Sequence, residues 1–209
     1  MAAMTLLGKA WRKPYWIFYY LVTKLSFLRC WLLKAQARFY GGRVEIGHNV
    51  VITHPTQFQG FGTLILGDSV KLGFMMGGLK NMPILLQPRT DAAVIQIDQG
   101  SVLMNGSELI SRSGIYIGKN RRIGAGCVFL DADFHGIGAD ERDQVGITKP
   151  IIIGDNVWLG RSVTVLKGVH VGNDAIIGAN CVVTKDIPAG GIAVGNPMRI
   201  VGSVYERRP

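Results

Sequence analysis

A histidine close to two carboxylates is the group of residues in this chain best suited to acid–base chemistry. His135 follows Asp131 and Asp133 in the segment LDADFH. Histidine can accept a proton near neutral pH, and a neighbouring carboxylate can fix its tautomer and stabilise the imidazolium that forms. The segment predicts a general base at His135 that is oriented by Asp131 or Asp133. The alternative is an exposed loop histidine without a catalytic role.

A six-residue repeat must position this histidine. Six consecutive blocks of six residues keep one frame from Ile153 to Pro188. Each block begins with an aliphatic residue, and in four of the six blocks the next residue is glycine. Such a period predicts a parallel β-helix, in which the first and fifth residues of a block point inwards. Three blocks would close one triangular coil. The alternative, a β-sandwich of short strands, would not keep a constant spacing.

The repeat is interrupted near its middle. Regular blocks end at Phe129 and resume after Pro150, so residues 131–150, which contain His135, form a long excursion. Loops of this length in a regular fold are frequently functional. We therefore expect residues 131–150 to be a catalytic loop. Looser blocks before residue 117 change frame, which predicts insertions or bulges between the early coils.

Composition divides the chain into an appendage and one repeat domain. Eight basic residues and no acid precede Glu45, while the remaining 165 residues carry fifteen basic and fourteen acidic groups. The net charge of +9 therefore belongs to the N-terminal segment and does not indicate a nucleic-acid-binding face. Of three cysteines, Cys127 and Cys181 fall at inward positions without metal-ligand spacing, which favours a reducing compartment and no metal. We expect a segment 1–43, a β-helix 44–202 and a tail 203–209.

The N-terminal segment is predicted to be helical. Residues 15–33 are mostly apolar and rich in aromatics, and Gly41 and Gly42 would end the helix. Lys24 and Arg29 interrupt the apolar stretch, which disfavours a membrane-spanning helix. A basic helix with aromatic residues is typical of a membrane surface, whereas a helix at this place could also cap the open end of the coil. We expect residues 1–40 to make one or both of these contacts.

Three linked motifs resemble a known family. The segments DADFH, KPIIIGDNVWLG and VVTKDIPAGGIAVGNPMR are similar to the xenobiotic and sugar O-acetyltransferase branch of the hexapeptide-repeat transferases, which includes galactoside, maltose and O-antigen or exopolysaccharide acetyltransferases. The resemblance covers residues 97–202 well, 44–96 weakly and 1–43 not at all. It implies a left-handed β-helix, although parallel crossovers are usually right-handed. It also implies acetyl-CoA as co-substrate and a homotrimer with its sites between subunits.

The resemblance also assigns roles to residues. His135 would deprotonate a sugar hydroxyl in a direct transfer, and Asn105 would orient that hydroxyl unless it is an ordinary turn residue. Trp158 would line the cleft, or else pack at a subunit contact, and the backbone amide of Arg161 would stabilise the oxyanion. The family usually has a small residue at this last position. The residues implied for binding coenzyme A are Lys185 and Arg199, which would contact phosphates and adenine, and Gly160, Gly178 and Ala179, which would let the pantetheine arm approach the backbone.

The expected acceptor is a sugar hydroxyl of a surface polysaccharide or of its lipid-linked precursor, and the expected location is the cytoplasm, with peripheral contact at the inner face of the membrane. Alternatives are N-acetylation of an amino sugar, acetylation of a small molecule such as serine or an antibiotic, and a scaffold without catalysis. A zinc hydratase of the same fold would need three histidines. His48, His54 and His170 do not have the usual spacing of such a site.

Overall fold

The computed structural model describes residue 21, residues 24–74, residue 79 and residues 81–206. The chain forms a triangular prism of stacked coils, and each full coil gives one strand to each of three sheets, named A, B and C in that order. The paired strands between successive coils are parallel. The six-residue period is confirmed, because each side of the prism is a short strand followed by a turn.

The strands follow in chain order through seven coils. Coil 1 contains β1 (Arg43–Ile46), β2 (Val51–Ile52) and β3 (Thr56–Phe58), and coil 2 contains β4 (Thr63–Leu66), β5 (Lys71–Leu72) and β6 (Ile84–Pro88). Coil 3 contains β7 (Val94–Ile97), β8 (Val102–Leu103) and β9 (Glu108–Ser111), and coil 4 contains β10 (Gly114–Ile117), β11 (Arg122–Ile123) and β12 (Val128–Leu130). Coil 5 contains β13 (Ile151–Ile153), β14 (Trp158–Leu159) and β15 (Thr164–Leu166), and coil 6 contains β16 (His170–Val171), β17 (Ile176–Ile177) and β18 (Val182–Val183). The last turn adds β19 (Gly191–Val194) and the antiparallel β20 (Arg199–Ser203) to sheet B, followed by a short 3₁₀ helix (Val204–Glu206).

The interior of the prism is filled by the inward side chains of the repeat. The first residues of the six regular blocks are buried, and so are the fifth residues, from Val157 to Ile187. Cys127 and Cys181 are among these buried residues, and burial raises the pKa of the Cys127 thiol to about 11. Both thiols therefore stay protonated and serve as small core residues. Because side chains fill the coils, binding and catalysis must take place on the outside.

A charged side chain occupies one of the inward positions of the repeat. Arg121 is fully buried where the two following coils have Val157 and Ala175. Its guanidinium donates to Asp155 at 2.6 Å, and burial lowers the pKa of Arg121. The backbone N–H of Lys119 and the guanidinium of Arg121 hold the pKa of Asp155 below its usual range. The ion pair thus ties the interior of coil 4 to the turn of coil 5.

A helix covers the N-terminal end of the prism. Helix α1 (Ser26–Tyr40) contacts β1, β2 and β3, so it lies over all three sides of coil 1. The hydroxyl of Ser26 accepts the N–H of Ile52 at 2.7 Å, and the side-chain carbonyl of Gln36 accepts the N–H of Phe58 at 2.8 Å. These contacts satisfy strand groups that no further coil covers. The helix therefore caps the prism, and α1 ends at Gly41 with φ 85°.

Residues 15–20, the first part of the apolar stretch expected to be helical, lie outside the described residues. In the described part of the chain, no helix is both long and apolar enough to cross a membrane.

Replacement of Leu33 in the cap should destabilise the protein. Leu33 is buried against the first coil, and Leu33→Ala should lower the free energy of unfolding by about 2–5 kcal/mol. Leu32→Ala, on the exposed side of the same helix, is the matched control and should change it by less than about 0.5 kcal/mol. Urea denaturation followed by circular dichroism measures both values. Equal effects would contradict the capping role.

Candidate active site

The candidate residues lie at two different corners of the prism. The loop 131–150 connects β12 in sheet C to β13 in sheet A, so it leaves the prism at the corner between these sheets, here called the CA corner. Trp158 lies on sheet B, and Arg161 follows in the turn between sheets B and C, the BC corner. About six residues of extended chain, or roughly 20 Å, separate the two corners.

The loop is a folded hairpin at its base. Ala132 and Thr148 form an antiparallel bridge. The N–H of Asp133 donates to Ile147 O at 2.8 Å, and the N–H of Lys149 donates to Asp131 O at 2.9 Å. Near the loop tip, Gly136 donates to the carbonyls of Glu141 and Gln144. These backbone hydrogen bonds hold the chain around His135 in one conformation.

Asp131 stabilises the base of this hairpin. Its carboxylate is fully buried and accepts hydrogen bonds from the hydroxyls of Ser111 and Ser113 at 2.7 and 3.0 Å. It also accepts the backbone N–H groups of Arg112, Ser113 and Gly114 at 2.7–2.8 Å. Such a set of donors satisfies a buried carboxylate without a cation. Asp131 thus fixes the loop to coil 3, and the expectation that it orients His135 is wrong.

Asp133 does not contact the histidine either. One of its carboxylate oxygens accepts the Lys167 ammonium at 2.6 Å, and both side chains are largely buried. Its second oxygen is buried and has no hydrogen-bond partner among the described residues. Asp133 therefore connects the loop to coil 5. Both carboxylates that precede His135 are used to position the loop.

The tautomer of His135 is fixed by a backbone carbonyl. Its Nδ1 lies 2.7 Å from the carbonyl oxygen of Arg142, and because a carbonyl can only accept, Nδ1 must carry the proton. In a neutral ring with the proton on Nδ1, the lone pair of this exposed side chain is on Nε2, where it could act as a base. Arg142 is itself held by a hydrogen bond of 3.0 Å from its guanidinium to Gly136 O. Sequence patterns could not have revealed this partner, since every residue has a carbonyl.

Asn105 also has a positioning role. It is 1% exposed, its side-chain oxygen accepts the N–H of Phe74 at 2.8 Å, and its side-chain amide donates to Phe74 O at 3.0 Å. With both ends of the amide engaged and no exposed surface, Asn105 does not face an acceptor hydroxyl in this structure. Asn105 fixes the backbone of Phe74. The sequence did not predict this contact, because the repeat changes frame between the two residues.

Phe74 and Trp158 line one groove on sheet B. Trp158 is 55% exposed and pairs in register with Arg122 of the preceding coil. The groove has a volume of about 350 Å³, and Met104 and Gly124 are among its other lining residues. Trp158 therefore lines a groove, as a cleft residue should. The sequence did not predict Arg122, which lies one coil before Trp158 at the same outward position, because the loop 131–150 separates the two residues in the chain.

Backbone groups at the BC corner lie next to this groove. The N–H of Arg161 donates to no acceptor in the described ranges, so it is available to an external oxygen. Gly160 is required by coil stacking, because a Cβ atom there would lie 2.6 Å from the N atom of Ala179. At Gly178, a Cβ atom would lie 3.0 Å from Val194. The stacking of coils thus explains these two glycines without any ligand.

The two candidate phosphate ligands are separated. Lys185 follows β18 and precedes a bridge between Ile187 and Val171 of sheet A, which places it at the CA corner. Arg199 pairs with Val194 at the end of β19, which places it at the BC corner. Both side chains are exposed. Within one chain they do not form a single phosphate site.

The comparisons with known proteins begin with a family model. The model described as bacterial transferase hexapeptide (six repeats) matches residues 150–185. A Staphylococcus aureus protein provisionally described as an acetyltransferase is 44% identical over 116 residues, which are 46% of this chain and 58% of that protein. The galactoside O-acetyltransferase of Escherichia coli is 45% identical over 58 residues, 28% of this chain and 29% of the relative. The chain spans about half the length of the curated relatives it matches first, 51–58%.

Solved structures of acetyltransferases and acyltransferases share the fold. A polySia-specific acetyltransferase matches with a TM-score of 0.56 and 26% identity, covering 78% of this chain and 82% of the other. A mutant N-acyltransferase from Bacillus cereus matches with a TM-score of 0.59 at 18% identity, covering 81% and 87% of the two chains. The second likeness concerns the fold alone.

The role found for Asp131 can be tested by Asp131→Asn. An amide in this position would face several N–H donors with its own N–H₂ group, and should reduce stability by about 1–3 kcal/mol. Hydrogen exchange of residues 131–150 should become faster. Asp140→Asn, at an exposed position of the same loop, should change neither quantity. Unchanged exchange in Asp131→Asn would contradict a role in fixing the loop.

The six-residue repeat, three parallel sheets and matched sequences are consistent with one assignment. The observed architecture is the left-handed parallel β-helix with a helical N-terminal segment. The chain carries the bacterial transferase hexapeptide repeat at residues 150–185 and is similar over part of its length to acetyltransferases, including a galactoside O-acetyltransferase.

Proposed function

We propose that this protein transfers an acetyl group from acetyl-CoA to a sugar hydroxyl, with His135 as the general base. The observation that carries the proposal is the hydrogen bond of 2.7 Å from His135 Nδ1 to the Arg142 carbonyl, which leaves Nε2 as the ring nitrogen for a base. The hexapeptide-repeat match at residues 150–185 and the polySia-specific structural relative support acetyl transfer to a carbohydrate.

The transfer is direct: the acetyl group passes from the coenzyme A sulfur to the acceptor oxygen without an acyl-enzyme. His135 Nε2 takes the proton of the acceptor hydroxyl while the hydroxyl oxygen attacks the thioester carbonyl carbon. The Arg161 N–H stabilises the oxyanion of the tetrahedral intermediate. When the C–S bond breaks, the imidazolium returns its proton to the coenzyme A sulfur. A covalent acetyl-cysteine is not part of this scheme, because Cys127 and Cys181 are buried and protonated.

The complete site requires two chains. His135 and Lys185 lie at the CA corner, whereas Trp158, Arg161 and Arg199 lie at or beside the BC corner, roughly 20 Å away. A homotrimer of parallel prisms brings the CA corner of one subunit against the BC corner of its neighbour and forms three equivalent sites. Acetyl-CoA, a substrate of the reaction, then lies between subunits with Lys185 and Arg199 at its phosphates.

The proposed acceptor is a sugar of a surface polysaccharide or of its lipid-linked precursor. The site is an open groove on the outside of a filled prism, which suits an extended sugar chain. We place the reaction in the cytoplasm, where buried thiols such as Cys127 stay reduced. The chemistry of the product separates this proposal from N-acetylation, since an O-acetyl ester is cleaved by mild base and an amide is not.

Loss of the base should affect turnover rather than binding. His135→Ala should lower kcat by roughly 10²–10⁴-fold and leave the Kd for coenzyme A unchanged. His170→Ala, at an exposed position of a regular coil, is the matched control and should have normal kcat. Steady-state kinetics and calorimetry measure the two quantities. Near-normal turnover in His135→Ala would remove this residue from the mechanism.

Loss of the phosphate ligands should affect the KM for acetyl-CoA. Lys185→Ala and Arg199→Ala each remove an exposed cation, and each should raise that KM by roughly ten-fold with a smaller change in kcat. Lys119→Ala, an exposed lysine at the corner between sheets A and B, is the control. Unchanged KM values in both variants would reject the phosphate assignment.

A further inference from the structure

The outer side of α1 is apolar although it faces solvent. At roughly 100° per residue, Leu28, Leu32 and Phe39 fall on the side opposite the buried Leu33 and Ala37. Phe39 is 84% exposed, and Trp31 and Phe27 beside this side are 57% and 81% exposed. Single exposed apolar residues are ordinary, but five large apolar side chains on one side of a helix, three of them aromatic, mark a candidate binding surface. We name this patch, defined by these five exposed residues, the outer face of α1.

The positive charge around the outer face of α1 favours an anionic partner. Lys34 and Arg38 are exposed on the same helix, and the first 44 residues contain eight basic residues and no acid. Two copies of such a surface would repel each other. A layer of anionic lipid headgroups would instead attract the basic residues while the apolar side chains enter the interface. The segment YWIFYY at residues 15–20, outside the described residues, has the composition of an interfacial sequence.

The position of α1 fixes how the prism would stand. The helix contacts the first strand of all three sheets, so its outer face points along the prism axis, away from the coils. In a trimer of parallel prisms the three outer faces would lie in one plane. We propose that the outer face of α1 docks on an anionic membrane surface and holds the prism upright upon it.

The upright orientation has a consequence for the acceptor, and this consequence rests on the proposed function. The loop with His135 leaves coil 4, three coil spacings or roughly 15 Å above coil 1. The diameter of α1 adds about 10 Å. The site would therefore lie far above the headgroups. A sugar chain of several units on a lipid could reach it, whereas the first sugar attached to the lipid could not.

Vesicle flotation tests the docking without any assay of acetyl transfer. The full-length chain should float with phosphatidylcholine vesicles that contain 30% phosphatidylglycerol (a chosen composition of roughly the anionic charge found in membranes) and stay at the bottom with phosphatidylcholine alone. The triple variant Leu28→Ser, Leu32→Ser and Phe39→Ser should lose flotation. The double variant Lys34→Ala and Arg38→Ala should bind roughly thirty-fold more weakly, at about 1 kcal/mol for each charge.

The control places the same type of change at the other end of the prism. Val201 on β20 is 60% exposed, and Val201→Ser should float like the wild type. Circular dichroism confirms that each variant is folded, as expected for exposed positions. Equal flotation of wild type and triple variant would overturn the proposal, as would failure of the wild type to bind anionic vesicles. A change in oligomeric state of the triple variant without vesicle binding by the wild type would assign this face to contact between copies.

Fluorescent labelling at the two ends of the prism tests the upright orientation independently of flotation. An environment-sensitive fluorophore on Leu28→Cys should shift to the blue when anionic vesicles are added, and one on Val201→Cys should not. The native Cys127 and Cys181 are buried, and Cys30 is replaced by serine for this labelling. Blue shifts at both positions would contradict the upright orientation even if the protein floats.

Discussion

The filled interior of the prism is the constraint on which the rest of the structure depends. Most inward positions hold aliphatic or small side chains, with Arg121, Phe58 and Phe129 as larger ones, and the coils stack closely around them. Gly160 shows how tight the stacking is, since even a methyl group there would meet the backbone of the next coil. Function is therefore confined to the corners, to the outward positions of the strands and to the chain that leaves the coil.

This constraint explains why polar residues near the site are engaged in holding loops. A loop that leaves a closely packed prism has no core of its own, so its conformation must be fixed by hydrogen bonds to the coils. Asp131 does this through five donors from residues 111–114, and Asn105 does it for Phe74 through both ends of its amide. His135 has a backbone partner at Nδ1, and its Nε2 has no hydrogen-bond partner in the part of the chain that the structure describes.

The sequence predicted the parts of the fold that repeat. The inward residues from Ile153 to Ile187 could be identified because a period of six fixes both the strand and the direction of each side chain. The partners of Asp131 could not, because they lie a coil earlier, across the interrupted frame. Proximity in sequence suggested that Asp133 would orient His135, whereas the fold turns it towards Lys167. The sequence also did not show that His135 and Trp158 lie at different corners, since the order of the sheets becomes visible only in the folded chain.

We propose that a complete site forms between two subunits. Mixing of subunits that are each inactive distinguishes this arrangement from a site within one chain. His135→Ala and Trp158→Ala each disable a different half of the site. If the halves belong to different chains, trimers assembled from equal amounts of the two variants should recover about a quarter of the wild-type sites, since one interface in four on average joins an intact CA corner to an intact BC corner. No recovery above the separate variants, in trimers shown to be mixed, would contradict the account.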